Sequence, residues 1–190
     1  MTDGTAAGTA PRNRRTLILV ALVAVAPVVA SYAAYYWFPR EKQVNYGELL
    51  ATRLAPEVTG AAGGAPFRLS DLRGKWVVVM AAPGACDGEC AGALYATRQA
   101  RTIQGQEMER VARVWLVDDD AAPNPGVVAL HPDLTVVRAP RGALASWPAG
   151  ADRIYLVDPL GNLVLAWPRD PDIRAMAKDV TRLLRASRIG

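Results

Sequence analysis

Apolar and polar positions divide the chain into two regimes. Residues 16–38 are apolar and carry no charge. From residue 76 onward, short apolar runs alternate with segments whose apolar residues recur at helical spacing. A bilayer core of about 30 Å takes roughly 20 helical residues to cross, so the first run is predicted to span a membrane. It ends in Tyr35-Tyr36-Trp37-Phe38, the aromatic type that settles at a membrane interface. Pro27 lies mid-span, where a lipid-embedded helix tolerates it. The competing reading is a cleaved signal peptide. The run is longer than a signal core, and no Ala-x-Ala site followed by polar sequence stands at the right distance. The flanks divide the rest into a tail over 1–15, an anchor over 16–38, a linker and loop over 39–66, and a folded domain over 67–190.

Within that domain Trp76-Val77-Val78-Val79-Met80 is apolar throughout, the mark of a strand covered on both faces. Pro83-Gly84 ends it, and a helix is predicted from about Asp87 to Gln104, with Ala91 and Leu94 on one face and Arg98 and Gln99 on the other. Residues 111–117 form a second apolar strand, so the unit is a parallel βαβ crossover. A further strand is predicted over 134–138 and a helical turn over 142–146. Residues 153–157 and 163–167 bracket Asp158-Pro159-Leu160-Gly161, which fits a type I turn. Asp170-Pro171 then reads as a cap followed by proline at the first helical position. Ile173, Met176, Ala177, Val180, Leu183 and Leu184 repeat on one helical face behind it. The order βαβ, hairpin, closing helix is that of an α/β thioredoxin-like domain, a mixed sheet with flanking helices, behind a single N-terminal transmembrane helix.

Charge narrows the classes of partner. The formal net charge is +4, and residues 1–44 carry +3 of it, leaving +1 for the remainder. A near-neutral domain has no electrostatic footprint for nucleic acid. Arg12, Arg14 and Arg15 precede the anchor, so the positive-inside rule puts the N-terminus in the cytoplasm and the domain outside it.

The chemistry rests on two cysteines. Cys86 and Cys90 are the only ones in the chain, and they fall where the first core strand hands over to its helix, the end of a sheet that holds chemistry in open α/β folds. In an exported compartment a disulfide persists, and one between these two closes a very short loop, which removes little chain entropy. Structural stapling alone is therefore a weak reason for the spacing. Cys86, at the helix start, is the expected attacking thiol, and Cys90, one turn inside, the resolving one. Asp87 and Glu89 between them oppose a thiolate. The pair is also the candidate metal site, because Cu(I) favours thiolate, but it lacks a third ligand. The lone histidine, His131, reads as a surface loop residue, and Asp118-Asp119-Asp120 as a solvated strand end.

Several of these features together resemble the Sco (SenC) family: the anchor, Leu69-Ser70-Asp71-Leu72-Arg73-Gly74-Lys75-Trp76, the Cys-x-x-x-Cys pair, and Ile154-Tyr155-Leu156-Val157-Asp158-Pro159-Leu160-Gly161. The resemblance implies a membrane-anchored, thioredoxin-like protein of cytochrome c oxidase assembly, single-pass in the cell inner membrane with its C-terminal domain in the periplasm. It implies an oxidase subunit or its assembly factors as partner. It also implies copper held by two cysteines and a histidine. The cysteines carry over to Cys86 and Cys90. The histidine does not, since its place reads Pro148-Ala149-Gly150-Ala151-Asp152, and the family's proline after the first cysteine is Asp87 here. The expected role is therefore thiol–disulfide exchange, which requires no cofactor. Cu(I) chaperoning with an external third ligand and a non-catalytic interaction scaffold are the alternatives.

Overall fold

The computed structural model describes residues 12–37 and 45–187. The chain divides into two units between residues 43 and 44. The first holds helix α1, Arg12–Trp37, which runs through Pro27. Its stretch Arg14–Ala34, with mean hydropathy 2.4, is long and apolar enough to cross a membrane. Most of the expected tail (residues 1–11), Phe38 of the aromatic cluster, and positions 39–44 of the expected linker lie outside the described residues.

The second unit is a mixed eight-stranded sheet. Its strands are β1 (Glu48–Leu54), β2 (Thr59–Ala62), β3 (Ala65–Arg68), β4 (Trp76–Ala82), β5 (Val111–Val117), β6 (Leu134–Arg138), β7 (Ile154–Val157) and β8 (Asn162–Trp167). They lie in the order β1-β8-β7-β4-β5-β6-β2-β3. β4, β5 and β6 are parallel, while β7, β8 and β1 continue antiparallel on one side and β2 and β3 on the other. Three helices accompany the sheet: α2 (Gly88–Thr102), the short α3 (Pro125–Ala129) and α4 (Ile173–Ala186).

Every residue of β4 is buried, and its side chains alternate between two cores, as a strand's period of two requires. Trp76, Val78 and Met80 pack with Leu94 of α2 and Met176, Val180 and Leu184 of α4. Val77, Val79 and Ala81 pack on the opposite face with Leu50, Phe67, Leu144 and Trp147. That second face is covered by the 139–151 connection, where Tyr155 donates its hydroxyl to Gly150 O at 2.6 Å and Trp147 meets its ring edge-on at 4.8 Å. Each large apolar side chain buried this way contributes about 1.5–3 kcal/mol.

Two expectations need correction. The stretch 39–66, expected as linker and loop, contains β1, β2 and the start of β3. These are outer strands in which Leu50 alone of β1 is buried, so ladder hydrogen bonds hold them and no apolar alternation marks them. Gly60, read as loop, lies in β2 because the backbone of β6 comes so close that a Cβ there would sit 2.1 Å from Arg138 O. The last helix is capped by Asp172 rather than Asp170: its side chain accepts from Ala175 N at 2.7 Å. Pro171 is buried ahead of it, and Tyr46 Oη takes the Asp172 N–H at 3.0 Å. These contacts go with a helix that starts at Ile173 and has Asp172 as its cap.

Asp179 joins the start of the unit to α4. Its carboxylate, 2% exposed, accepts from Tyr46 N at 3.0 Å, Gly47 N at 2.8 Å and Trp167 Nε1 at 3.1 Å. A Cβ on Gly47 would lie 2.7 Å from Trp167 Nε1, so only glycine admits this close approach.

Candidate functional site

Met80, Ala81 and Ala82 end β4, and Pro83 and Gly84 turn the chain out of the sheet. Cys86 follows with φ +46°, the left-handed region that is uncommon for a residue with a Cβ. Asp87 is the N-cap of α2, and its Oδ1 accepts from Cys90 N at 3.0 Å. Cys86 thus stands just outside the helix and Cys90 within its first turn. Their sulfurs are bonded at 2.01 Å with the Cα atoms 5.1 Å apart. The helix's first-turn amides are one source of thiolate stabilisation. Here Asp87 takes the Cys90 N–H, which leaves less for a Cys86 thiolate. Asp87 and Glu89 are both exposed beside the pair.

The attacking role expected of Cys86 calls for an accessible sulfur, but the structure buries the pair. Cys86 is 6% exposed and Cys90 1%, and both belong to the apolar cluster that contains Met80, Trp115 and Leu94. The segment 118–124 packs against the loop that leads into the pair. Asp119 Oδ1 accepts from Gly84 N at 2.9 Å and from Ala121 N at 3.2 Å. Asn124 N donates to Gly84 O at 2.9 Å. A Cβ on Gly84 would lie 2.4 Å from Ala121 O, so the two loops touch backbone to backbone. Asp119 is therefore no solvated strand end but the residue that pins this strap to the cysteine loop. The three aspartates do not converge: Asp120 pairs with Arg141 instead. The sequence carried only a charge run, and nothing in it distinguished Asp119 from its neighbours. Arg169 is a second residue that sequence reasoning missed. Its guanidinium donates to Ala81 O at 2.6 Å and pairs with Asp152 at 3.6 Å, so it supports the end of β4 from behind the hairpin.

His131 is also corrected: it is buried, 4% exposed. It faces Arg113, whose Nη2 lies 3.4 Å from Nδ1. Arg113 is 1% exposed and reaches Thr97, Leu94 O and Asp133. A proline-rich loop signalled surface, but the buried guanidinium draws His131 and Asp133 inward together. Burial, and then the charges of Arg113 and Arg98, hold the His131 pKa below 6.5, while Asp133 pulls the other way. The native state therefore binds this proton less readily than the unfolded chain. Its stability is full above about pH 6.5 and declines as pH falls from there toward the native pKa. For Asp133, burial raises the pKa, but Arg113 outweighs it and leaves the carboxyl below 3.8, so its loss enters only in stronger acid. The melting temperature is expected to fall between about pH 7.5 and pH 5, and to fall less in His131→Gln, as checked by calorimetry. An equal fall in both proteins would exclude His131 as the titrating group.

The donor set does not fit a copper site made by this chain alone. Among the described residues no three His, Cys, Asp or Glu side chains converge. His131 is engaged with Arg113, and in the 148–152 stretch Asp152 is paired with Arg169. Two sulfurs remain, fewer than copper's usual ligand number.

Comparisons place this architecture. The structure is similar to apo Sco1 from Thermus thermophilus, with TM-score 0.58, 21% identity, and 77% of this chain and 98% of that one covered. It is similar to copper-bound ScoI from Arabidopsis thaliana, with TM-score 0.59, 16% identity, and 71% and 100% covered. It is also similar to the thioredoxin domain of a thiol-disulfide oxidoreductase from Bacteroides vulgatus, with TM-score 0.52, 20% identity, and 71% and 99% covered. At these identities the likeness is one of fold, and it is the fold that the Sco resemblance implied. No curated protein matches by sequence. The family described as transmembrane-like, thioredoxin-like, C-terminal domain matches residues 76–187, a span that begins with β4, carries both cysteines and ends just past α4. With more than half of its length inside that match, the chain belongs to the transmembrane-like, thioredoxin-like C-terminal domain family.

Proposed function

We propose that this chain is a membrane-anchored thiol–disulfide exchange domain, with α1 as the anchor, the cationic N-terminal flank in the cytoplasm and residues 45–187 in the exported compartment. The observation that carries the proposal is the Cys86–Cys90 bond between the carboxyl end of β4 and the first turn of α2. A partner thiolate attacks Cys86 Sγ, the less buried sulfur. The Cys86–Cys90 bond breaks, and Cys90 leaves as a thiolate. A second partner thiolate then attacks the partner sulfur of the mixed disulfide and releases Cys86. Two electrons have passed to the pair, and the partner holds the new disulfide. In the reverse direction Cys86 attacks and Cys90 resolves. Either direction requires the buried pair to become accessible, and the opening we propose is release of the 118–124 strap from Gly84. The setting that the Sco resemblance implies, assembly of a cytochrome c oxidase subunit at the inner membrane, belongs to this proposal.

The burial of Cys90 favours a second reading, an interaction scaffold with a closed disulfide. One experiment separates the two. The full chain is equilibrated with dithiothreitol buffers and its thiols are counted by alkylation. An exchange protein titrates between roughly −120 and −270 mV, whereas a structural bridge lies below about −300 mV. Under exchange, Asp119→Ala is reduced about ten-fold faster than wild type, because opening the strap no longer breaks hydrogen bonds of about 0.5–1.5 kcal/mol each. A potential below the exchange range, with no rate change in Asp119→Ala, leaves the scaffold. Copper transfer would need both thiolates and a ligand from the partner, and the donor set here does not favour it.

A further inference from the structure

Helix α4 presents a cationic face away from the core. Arg174, Lys178 and Arg185 are exposed, and their spacing puts them on one side of the helix. None of the three forms an ion pair among the described residues. Arg182, between them, is held by Asn45 Oδ1 at 2.7 Å and lies 3.9 Å from Asp179. The acids nearby are already engaged: Glu107, across the adjoining groove, pairs with Arg110, and Asp179 is buried under backbone amides. Ile103, 54% exposed, lines a shallow trough of about 550 Å³ with Arg174 and Lys178. The face is therefore positive with an apolar edge, the composition that suits a phospholipid interface.

A second observation connects this face to lipid. The first described residues after the anchor are bonded to the same helix. Asn45 is bonded to Arg182, the Tyr46 and Gly47 amides to Asp179, and the Tyr46 hydroxyl to the Asp172 N–H. Residues 38–44 alone separate Asn45 from the end of α1 in the sequence, so the chain coming from the anchor enters the folded unit beside α4. We propose that the face formed by Arg174, Lys178 and Arg185 docks on anionic phospholipid headgroups, whose phosphates replace the absent protein carboxylates. The proposal rests on the anchored reading of α1. Docking would fix how the thiol pair is presented to a membrane-embedded partner.

The test uses the full chain in nanodiscs of phosphatidylcholine, with or without about a third phosphatidylglycerol, and a water-soluble amine-acetylating reagent. Lys178 modification is read by peptide mass spectrometry against exposed Lys75 at the foot of β4. In anionic discs Lys178 is expected to react about five-fold more slowly relative to Lys75, the factor one headgroup-held cation supplies. About 0.5 M salt abolishes the protection by screening, and so does Arg174→Gln with Arg185→Gln. Equal Lys178 reactivity in both lipids, with the chain co-migrating with the discs, overturns the docking face while leaving the anchor intact. A chain that does not enter discs overturns both. Protection by free inorganic phosphate in neutral discs overturns the lipid assignment in favour of a small-anion site.

Discussion

Cys86→Ser is expected to abolish thiol exchange, while Cys90→Ser accumulates a stable mixed disulfide with a dithiol or disulfide partner. The asymmetry follows from position. Cys86 lies outside α2 and is the less buried of the two, and Cys90 lies inside the first helical turn with its amide capped by Asp87. With Cys86 gone, the more accessible sulfur is gone. With Cys90 gone, no second thiolate stands one helical turn away to release the captured partner. The functional loss is separable from unfolding. A bridge between residues four apart contributes only about 2 kcal/mol through chain entropy. For a domain of this size that is a lowering of the melting temperature by roughly 4–8 °C. Both variants should therefore remain folded, as circular dichroism would verify. Gel-shift trapping under non-reducing conditions reads the outcome. Undiminished exchange in Cys86→Ser would remove the assignment.

Asp179→Ala is expected to be the most destabilising single replacement away from the apolar core. It leaves Tyr46 N, Gly47 N and Trp167 Nε1 without their acceptor. Two of these bonds are buried, and each orphaned donor costs about 1–3 kcal/mol. A total of about 3–5 kcal/mol, the range for breaking a buried charged network, lowers the melting temperature by roughly 10 °C. Asp179→Asn retains one acceptor oxygen and should lose less. Lys178→Gln, next in sequence but exposed, should stay within about 0.5 kcal/mol. Hydrogen exchange gives an independent reading: the Tyr46 and Gly47 amides should lose protection in Asp179→Ala while those of β4 keep theirs. A melting temperature within about 2 °C of wild type would show that the carboxylate is dispensable.

The elements legible in the sequence share one property: their local pattern and their burial agree. Trp76 to Ala82 is apolar on every residue because both faces of β4 are covered. The 158–161 turn follows from Pro159 and Gly161, whose φ is +94°, and Gly161 N closes it on Asp158 O at 2.9 Å. Ile173 to Leu184 repeats at helical spacing because one face of α4 is packed. β1 and β2 escaped notice because their stability lies in ladder bonds to β8 and β6, and ladder bonds involve no side chain. His131 and Asp119 were misread for a related reason. Each is polar and sits in a loop, where local pattern predicts solvent. Each is in fact satisfied by a group distant in the chain, the Arg113 guanidinium for one and the Gly84 amide for the other.

The long apolar helix, the β4–α2–β5 order and the placing of the two cysteines at the start of α2 were determined by the amino-acid order alone, since apolar run length, helical period and a four-residue spacing are local quantities. Whether those sulfurs face water was not. The pair is buried in a core assembled from β4, α2, β5, β7, β8 and α4, and its loop is tied at Gly84 to Asp119, more than thirty residues downstream. Contacts of that range are decided by how the sheet twists its loops together, and only the folded chain contains that information.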